Sequence, residues 1–293
     1  MTEPEPRRLA LSDILEGGAA LVARNLLVFV RITATLIVPV NLVFIALLLA
    51  LHDDSTPKKM GYVFIAVYLL LVLLALIVAA GACLKAAADI RVGTSTSARG
   101  SLCFVRDRLS SFLWLVALML AGIGPGVALF VMARARPLGG LAYLAIVLIP
   151  FSFSLAGFWS VAPPSLLVEG GGVVKALKRS RTLVRGSYWR SLGTVVFGSA
   201  LALFAGILVQ LIASVFASGS ETVRLVVIVC GAAFGEVVAV SLLAAYLIVL
   251  YYDLRVRKEG SASIERDSAP IAGTGAPVAT SKTEPVKRRS PRR

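Results

Sequence analysis

The chain has 293 residues, 58% of them hydrophobic and only 16% charged, with a mean hydropathy of +0.86 and a formal net charge of +14. Soluble domains are about 45–50% apolar and about 25% charged, and a soluble helix keeps one face for water. Long uncharged runs in this number exclude an ordinary soluble fold, and the excess positive charge calls for no nucleic acid once its distribution is considered.

From the amino terminus, MTEPEPRRLALSDILEGG puts acids and prolines ahead of its arginines. A cleavable signal peptide opens with a basic region that passes directly into a short apolar core, so none is expected, and residues 1–11 read as disordered. Apolar runs able to cross a hydrocarbon core of roughly 30 Å follow near 28–51, 61–89, 112–132, 140–162, 192–216 and 224–252. They are continuous rather than alternating. Lipid offers the backbone no hydrogen-bond partner, so such runs must be helices. The expected fold is all-α membrane, with six spans in three hairpins. From Gly260 onward the chain is rich in Ser, Ala, Pro, Thr and Lys/Arg and reads as a disordered basic tail.

Six spans put both termini on one side. Of the 30 Lys and Arg residues, 25 fall on that side. Inner loops carry the excess of Lys and Arg, so both termini, the 90–111 and 163–191 connections and the tail are expected to be cytoplasmic. A bacterial inner membrane is the expected location, with anionic lipid as the partner.

Three inner segments align: 13–32, 97–116 and 175–194. Each carries two apolar residues, an arginine and a small or polar residue, as Val22-Ala23-Arg24-Asn25, Phe104-Val105-Arg106-Asp107 and Leu183-Val184-Arg185-Gly186. The membrane domain (12–259) therefore reads as three repeats of about 80 residues, near 12–95, 96–171 and 172–259. Each repeat would be an amphipathic interfacial helix followed by a hairpin. In the third, VVKALKRSRTLVRGSYWR (173–190), residues Val173, Ala176, Leu177, Ser180, Leu183, Val184, Ser187 and Tyr188 share one helical face. Lys175, Lys178, Arg179 and Arg185 lie elsewhere. That pattern suits a helix lying at headgroup level. The four cations are candidate contacts for anionic lipid, or simply topological anchors.

Candidate chemistry is sparse. His52, beside Asp53 and Asp54, is the one histidine, and Cys83, Cys103 and Cys230 lack paired spacing. No catalytic set, metal, disulfide or cofactor is expected. Glu236 stands deep in the last run, where a carboxyl must face other helices, either paired or protonated. It is a candidate ion, proton or substrate site, or a packing residue. Lys85 and Asp89, four apart, are expected to pair. Pro39, Pro125 and Pro150 are expected to kink or interrupt their helices. Broken helices at this depth mark binding sites in transporters, and they also occur passively.

LSDILEGGAALVARN, PPSLLVEGGGVVKALKRSRTLVRGSYWRSLG and LIVLYYDLRVRKEG carry a further signal. With them the chain resembles, from Leu11 to Gly260, the bacterial membrane domain named after glycerophosphodiester phosphodiesterases, especially its stand-alone members. The most specific positions are Glu169, Tyr252, Asp253, Arg255, Arg257 and Glu259, whose role the resemblance does not supply. It implies a membrane domain that elsewhere is fused to a barrel-fold phosphodiesterase with catalytic histidines. Phosphodiesterase activity is not expected from the residues present here. A non-enzymatic scaffold or lipid-interacting module is the expected role. A transporter using Glu236 is the alternative, and an enzyme of lipid headgroup metabolism a third reading.

Overall fold

The structure is a computed structural model that describes residues 10–50, 58–135, 141–217 and 219–260. His52, Asp53, Asp54 and the basic tail lie outside the described residues. Every regular element described is helical: α1 (Leu11–Arg24), α2 (Leu26–Ala50), α3 (Lys58–Val92), α4 (Ala98–Asp107), α5 (Leu109–Ala135), α6 (Leu141–Trp159), α7 (Ala162–Glu169), α8 (Val173–Val184), α9 (Tyr188–Val215) and α10 (Glu221–Glu259). Among the described residues, six segments are long and apolar enough to cross a membrane: Leu26–Leu47, Val63–Val92, Leu109–Met132, Tyr143–Glu169, Tyr188–Val215 and Val223–Glu259.

Local chemistry sets the helix boundaries. The Ser97 hydroxyl accepts from the Gly100 N–H (3.1 Å) to open α4, and Ser220 accepts from Val223 (3.4 Å) to open α10, each occupying one of the donors a helix start leaves free. Each aligned arginine falls within two residues of the break between a short helix and a span: Arg24 before Asn25, Arg106 before Arg108, and Arg185 before Gly186. Polar side chains within the spans bond back to their own helix. Thr33 donates to the Phe29 carbonyl (2.8 Å), Asn41 to Ile37 (3.0 Å) and Ser241 to Val237 (2.7 Å). This satisfies groups for which lipid has no partner.

Consecutive spans pack in pairs, α2 on α3, α5 on α6 and α9 on α10, and α10 also packs along α2 and α3. Lipid tails are as apolar as leucine, so helix association here depends on close backbone approach. Gly206 and Gly235 provide it between α9 and α10. A Cβ built on either would come within 2.8 Å or 2.6 Å of the other's carbonyl oxygen. The short helices dock onto spans: α1 on α10 and α9, α4 on α3 and α2, and α8 on α7 and α6. Their buried residues (Ile14, Leu21, Val105, Ala176, Leu183) join one apolar cluster with the adjoining ends of α3, α7 and α10. The tightest packing is therefore at the end of the bundle that carries the short helices, while large apolar side chains such as Leu69, Phe130, Ile146 and Phe204 stay exposed along the spans, as surfaces for lipid must.

Three details differ from the sequence reading. α2 and α6 run through Pro39 and Pro150 without interruption. A proline removes a single backbone donor, and neighbouring helices and hydroxyls compensate for such losses in membrane helices. The 163–191 connection holds two helices, because α7 follows α6 after a turn at Ser160–Val161. Finally, α8 ends at Val184 and does not run on to Tyr188, since Gly186 turns the chain at φ +96°, a conformation that favours glycine.

Candidate functional site

The positions singled out by resemblance converge where α7, α8 and α10 end. α7 stops at Glu169, and Gly170, Gly171 and Gly172, all at positive φ, reverse the chain into α8. This brings α8 back across the end of α10. Arg179, two turns into α8, then lies between two carboxylates. Its Nε donates to Glu169 Oε1 (2.7 Å), and its Nη2 pairs with Glu259 Oε1 at the end of α10. Burial alone would lower the guanidinium's pKa, but the hydrogen bonds it donates to Glu169 and Glu259 outweigh it and hold the group above its ordinary value. Tyr251 donates to the same Glu169 oxygen (2.8 Å), and Arg255 to Glu259 Oε2 (3.2 Å). Lys258 donates to the Thr182 carbonyl (2.7 Å), tying the α10 terminus to the last turn of α8.

A second centre lies six residues before Glu259 on α10. Asp253, its side chain 5% exposed, faces Arg257 Nε (2.9 Å) and Arg190 Nη2 (3.2 Å) through Oδ2. A carboxylate this buried is tolerable only when its charge is matched. Arg190 comes from the first turn of α9, so the pair ties α9 to α10. Tyr252 is buried, its ring 5.2 Å from that of Tyr251. The six resemblance positions thus belong to one clasp joining α7, α8, α9 and α10. Arg190 and Tyr251 belong to it too, and sequence reasoning missed them. Arg190 was one more cation in a basic stretch, and Tyr251 one more aromatic near a membrane end.

Arg179 is turned into the clasp and is not free for lipid. Lys175, Lys178 and Arg185 are exposed, as is Arg181, which the sequence reading did not single out. With Trp189, 81% exposed, they form the outer surface of this corner. The inner face of α8 is as the spacing predicts, with Ala176, Ser180, Leu183 and Val184 buried.

Glu236 lies seventeen residues before Asp253 on α10, about 25 Å away at 1.5 Å per residue, and takes no part in the clasp. Its Oε2 is shielded from the surface and has no hydrogen-bond partner among the described residues. Another polar pair within the spans joins α2 to α3, with the Tyr68 hydroxyl donating to Asn41 Oδ1 (3.0 Å). Lys85 and Asp89 pair as expected. Cys83, Cys103 and Cys230 are free thiols, and no three His, Cys, Asp or Glu residues group as a metal set among the described residues.

Comparison with protein-family models, curated proteins and solved structures finds no match. The chemistry of the site therefore rests on its own geometry. The clasp sets five cationic side chains, Arg179, Arg190, Arg255, Arg257 and Lys258, around three carboxylates, Glu169, Asp253 and Glu259, each of them engaged. These contacts link α7, α8, α9 and α10.

Proposed function

We propose that this chain is a non-enzymatic membrane module that holds a rigid basic platform at the cytoplasmic face, organising anionic lipid or docking partners there. The observation that carries this reading is the position of Arg179. By bridging Glu169 and Glu259 it fixes α8 to the bundle, and Lys178, Arg181 and Arg185 are left facing outward. Each cation near an anionic surface is worth about 1 kcal/mol. The sequence likeness to the stand-alone phosphodiesterase-associated membrane domain fits the same reading, with Glu169 and the 252–259 motif as structural fasteners. The cation distribution supports a bacterial inner membrane with both termini inside.

The internal repeat has a packing counterpart in this proposal. Each short helix docks on the span pair that precedes it in the chain, and α1 docks on the last pair. Three hairpin units of about 80 residues that close on one another account for that order.

The test is reconstitution of the full chain in vesicles of mixed phosphatidylglycerol and phosphatidylcholine. Enrichment of labelled phosphatidylglycerol around the protein is expected to weaken with salt and to drop in Lys178→Gln/Arg181→Gln/Arg185→Gln. Enrichment unchanged by the triple substitution overturns the platform. The transport alternative has one observation in its favour, the shielded Oε2 of Glu236 in the middle of α10. On that reading Glu236→Gln abolishes function in a normally folded protein, whereas a scaffold tolerates it.

A further inference from the structure

The three span pairs do not seal against one another equally. The α9–α10 pair packs along α2–α3, and α6 packs against α9. Between α3 and α5 a cleft of about 690 Å³ remains, floored by Val240, Leu243 and Leu247 of α10. α3 and α5 meet closely where Gly81 faces Phe112; a Cβ on Gly81 would lie 3.1 Å from that ring. Farther along α5 they diverge, and a Cβ on Gly124, which lines the cleft, would meet nothing within 4 Å. From Phe112 to Ala128 the cleft follows sixteen residues of α5, about 24 Å at 1.5 Å per residue, most of a hydrocarbon core of roughly 30 Å.

The lining residues decide what fills it. They are apolar throughout, with Leu84, Val116, Met119 and Ile123 along the walls. Water needs polar partners to occupy a cavity, and this one offers none. At about 30 Å³ for a group of water size, the cleft has room for roughly twenty such groups, the scale of an acyl chain.

The rim is cationic. Arg108 stands one helical turn before Phe112, its guanidinium 4.6 Å from the Phe104 ring centre. The same ring meets Lys85, the neighbour of Leu84, with Nζ 4.9 Å from its centre. Arg108 also reaches the α7–α8 turn, where a Cβ on Gly170 would lie 3.4 Å from its Nη1, and Lys175 folds over the adjacent Gly171. The nearby carboxylates are engaged elsewhere: Asp89 with Lys85, Glu169 with Arg179 and Tyr251, and Asp107 with Arg106. Arg108 and Lys175 form no ion pair with any described residue.

We propose that this cleft is a binding site for one anionic phospholipid, with an acyl chain between α3 and α5 and the headgroup phosphate between Arg108 and Lys175. The site takes Lys175 from α8 but uses none of Lys178, Arg181 and Arg185, so its test and that of the platform fail independently.

The experiment is native mass spectrometry of the purified full chain in detergent, titrated with phosphatidylglycerol or phosphatidylcholine. One phosphatidylglycerol is expected to be retained per chain. Arg108→Gln should weaken retention about tenfold, as loss of one charge-assisted hydrogen bond does. Gly124→Leu and Ala128→Phe, which fill the cleft from α5, should abolish the retained lipid, and unchanged melting temperatures would show the fold intact. Equal retention by wild type and both filled variants, or equal retention of the two lipids by wild type, overturns the proposal. Agreement of the two filling variants is required because Gly124 precedes Pro125, and a side chain there carries its own backbone cost.

Discussion

At Asp253 two guanidiniums from different parts of the chain converge on one oxygen in a nearly closed environment. Removing the carboxylate leaves both cations facing a desolvated gap, so Asp253→Ala should cost about 3–5 kcal/mol, read as a large fall in melting temperature of the purified protein. Arg179 is more exposed, its side chain at 25%, so the same logic gives a smaller effect. Arg179→Lys keeps the charge but cannot hold Glu169 and Glu259 with one planar fork, and a loss of about 1–2 kcal/mol is expected. If Asp253→Ala and Arg179→Lys melt alike, the two-centre description of the clasp is wrong. Glu236 reverses the sign. With Oε2 shielded and unbonded, Glu236→Leu removes a desolvated polar group and should leave stability unchanged or raise it by about 1 kcal/mol; a loss above about 2 kcal/mol would mean the carboxyl has a partner. Charge assignments were only half legible in the sequence. Periodicity put Arg179 on the polar face of α8, but it cannot show that α10 ends against that face, 80 residues farther along.

At the level of elements, the spans were legible because length and the absence of charge are properties of the sequence itself. Their close contacts were legible only where glycines four apart, Gly231 and Gly235, marked a face. Gly206, the partner across the interface, carries no such mark. The α9–α10 contact is therefore a place to test packing. Gly206→Ala forces a Cβ toward the Gly235 carbonyl, which cannot retreat without moving the whole of α10, and overpacking of this kind costs about 1–3 kcal/mol. Gly231→Ala should act similarly, since its Cβ would lie 2.4 Å from that of Ala213. Equal melting of Gly206→Ala and wild type would show that the helices are farther apart than described. The separation of α7 from α6 and the early end of α8 were not legible, because each depends on a single turn inside a run of suitable hydropathy. Burial on α8 matters for testing topology. Ser180, which the spacing already puts on the apolar face, is fully buried and donates to the Phe158 carbonyl (2.7 Å), so silence of a cysteine there would say nothing about sidedness. Cysteines at Ser95 and Lys178, both exposed, replace it. In a cysteine-free background they should stay unlabelled in intact cells, while Ser218→Cys labels; labelling of Lys178→Cys from outside would invert the orientation.

For the whole molecule the question is whether the chain closes on itself or is a row of units. α1 opens the described chain and α10 ends it, yet α1 packs along α10. The contact is tight at one point. A Cβ on Gly18 would lie 2.4 Å from the Tyr246 ring, and Tyr246 is also pressed from the other side by Gly198 of α9, where a Cβ would lie 3.1 Å away. Tyr246 is thus held between the first helix and the last pair. Gly17, one residue earlier, meets only a Val249 methyl at 3.9 Å, an ordinary contact. The matched substitutions Gly17→Leu and Gly18→Leu gain the same helix propensity, about 0.8 kcal/mol over glycine, and differ in the clash. In a closed arrangement Gly18→Leu displaces Tyr246 and loosens the last pair along with α1. Amide hydrogen exchange should then quicken in α1 and in residues 244–254 of α10 together, with a lower melting temperature, while Gly17→Leu neither quickens exchange nor lowers the melting temperature. Faster exchange confined to α1 would show that this helix is an appendage and that the molecule is an open row of units.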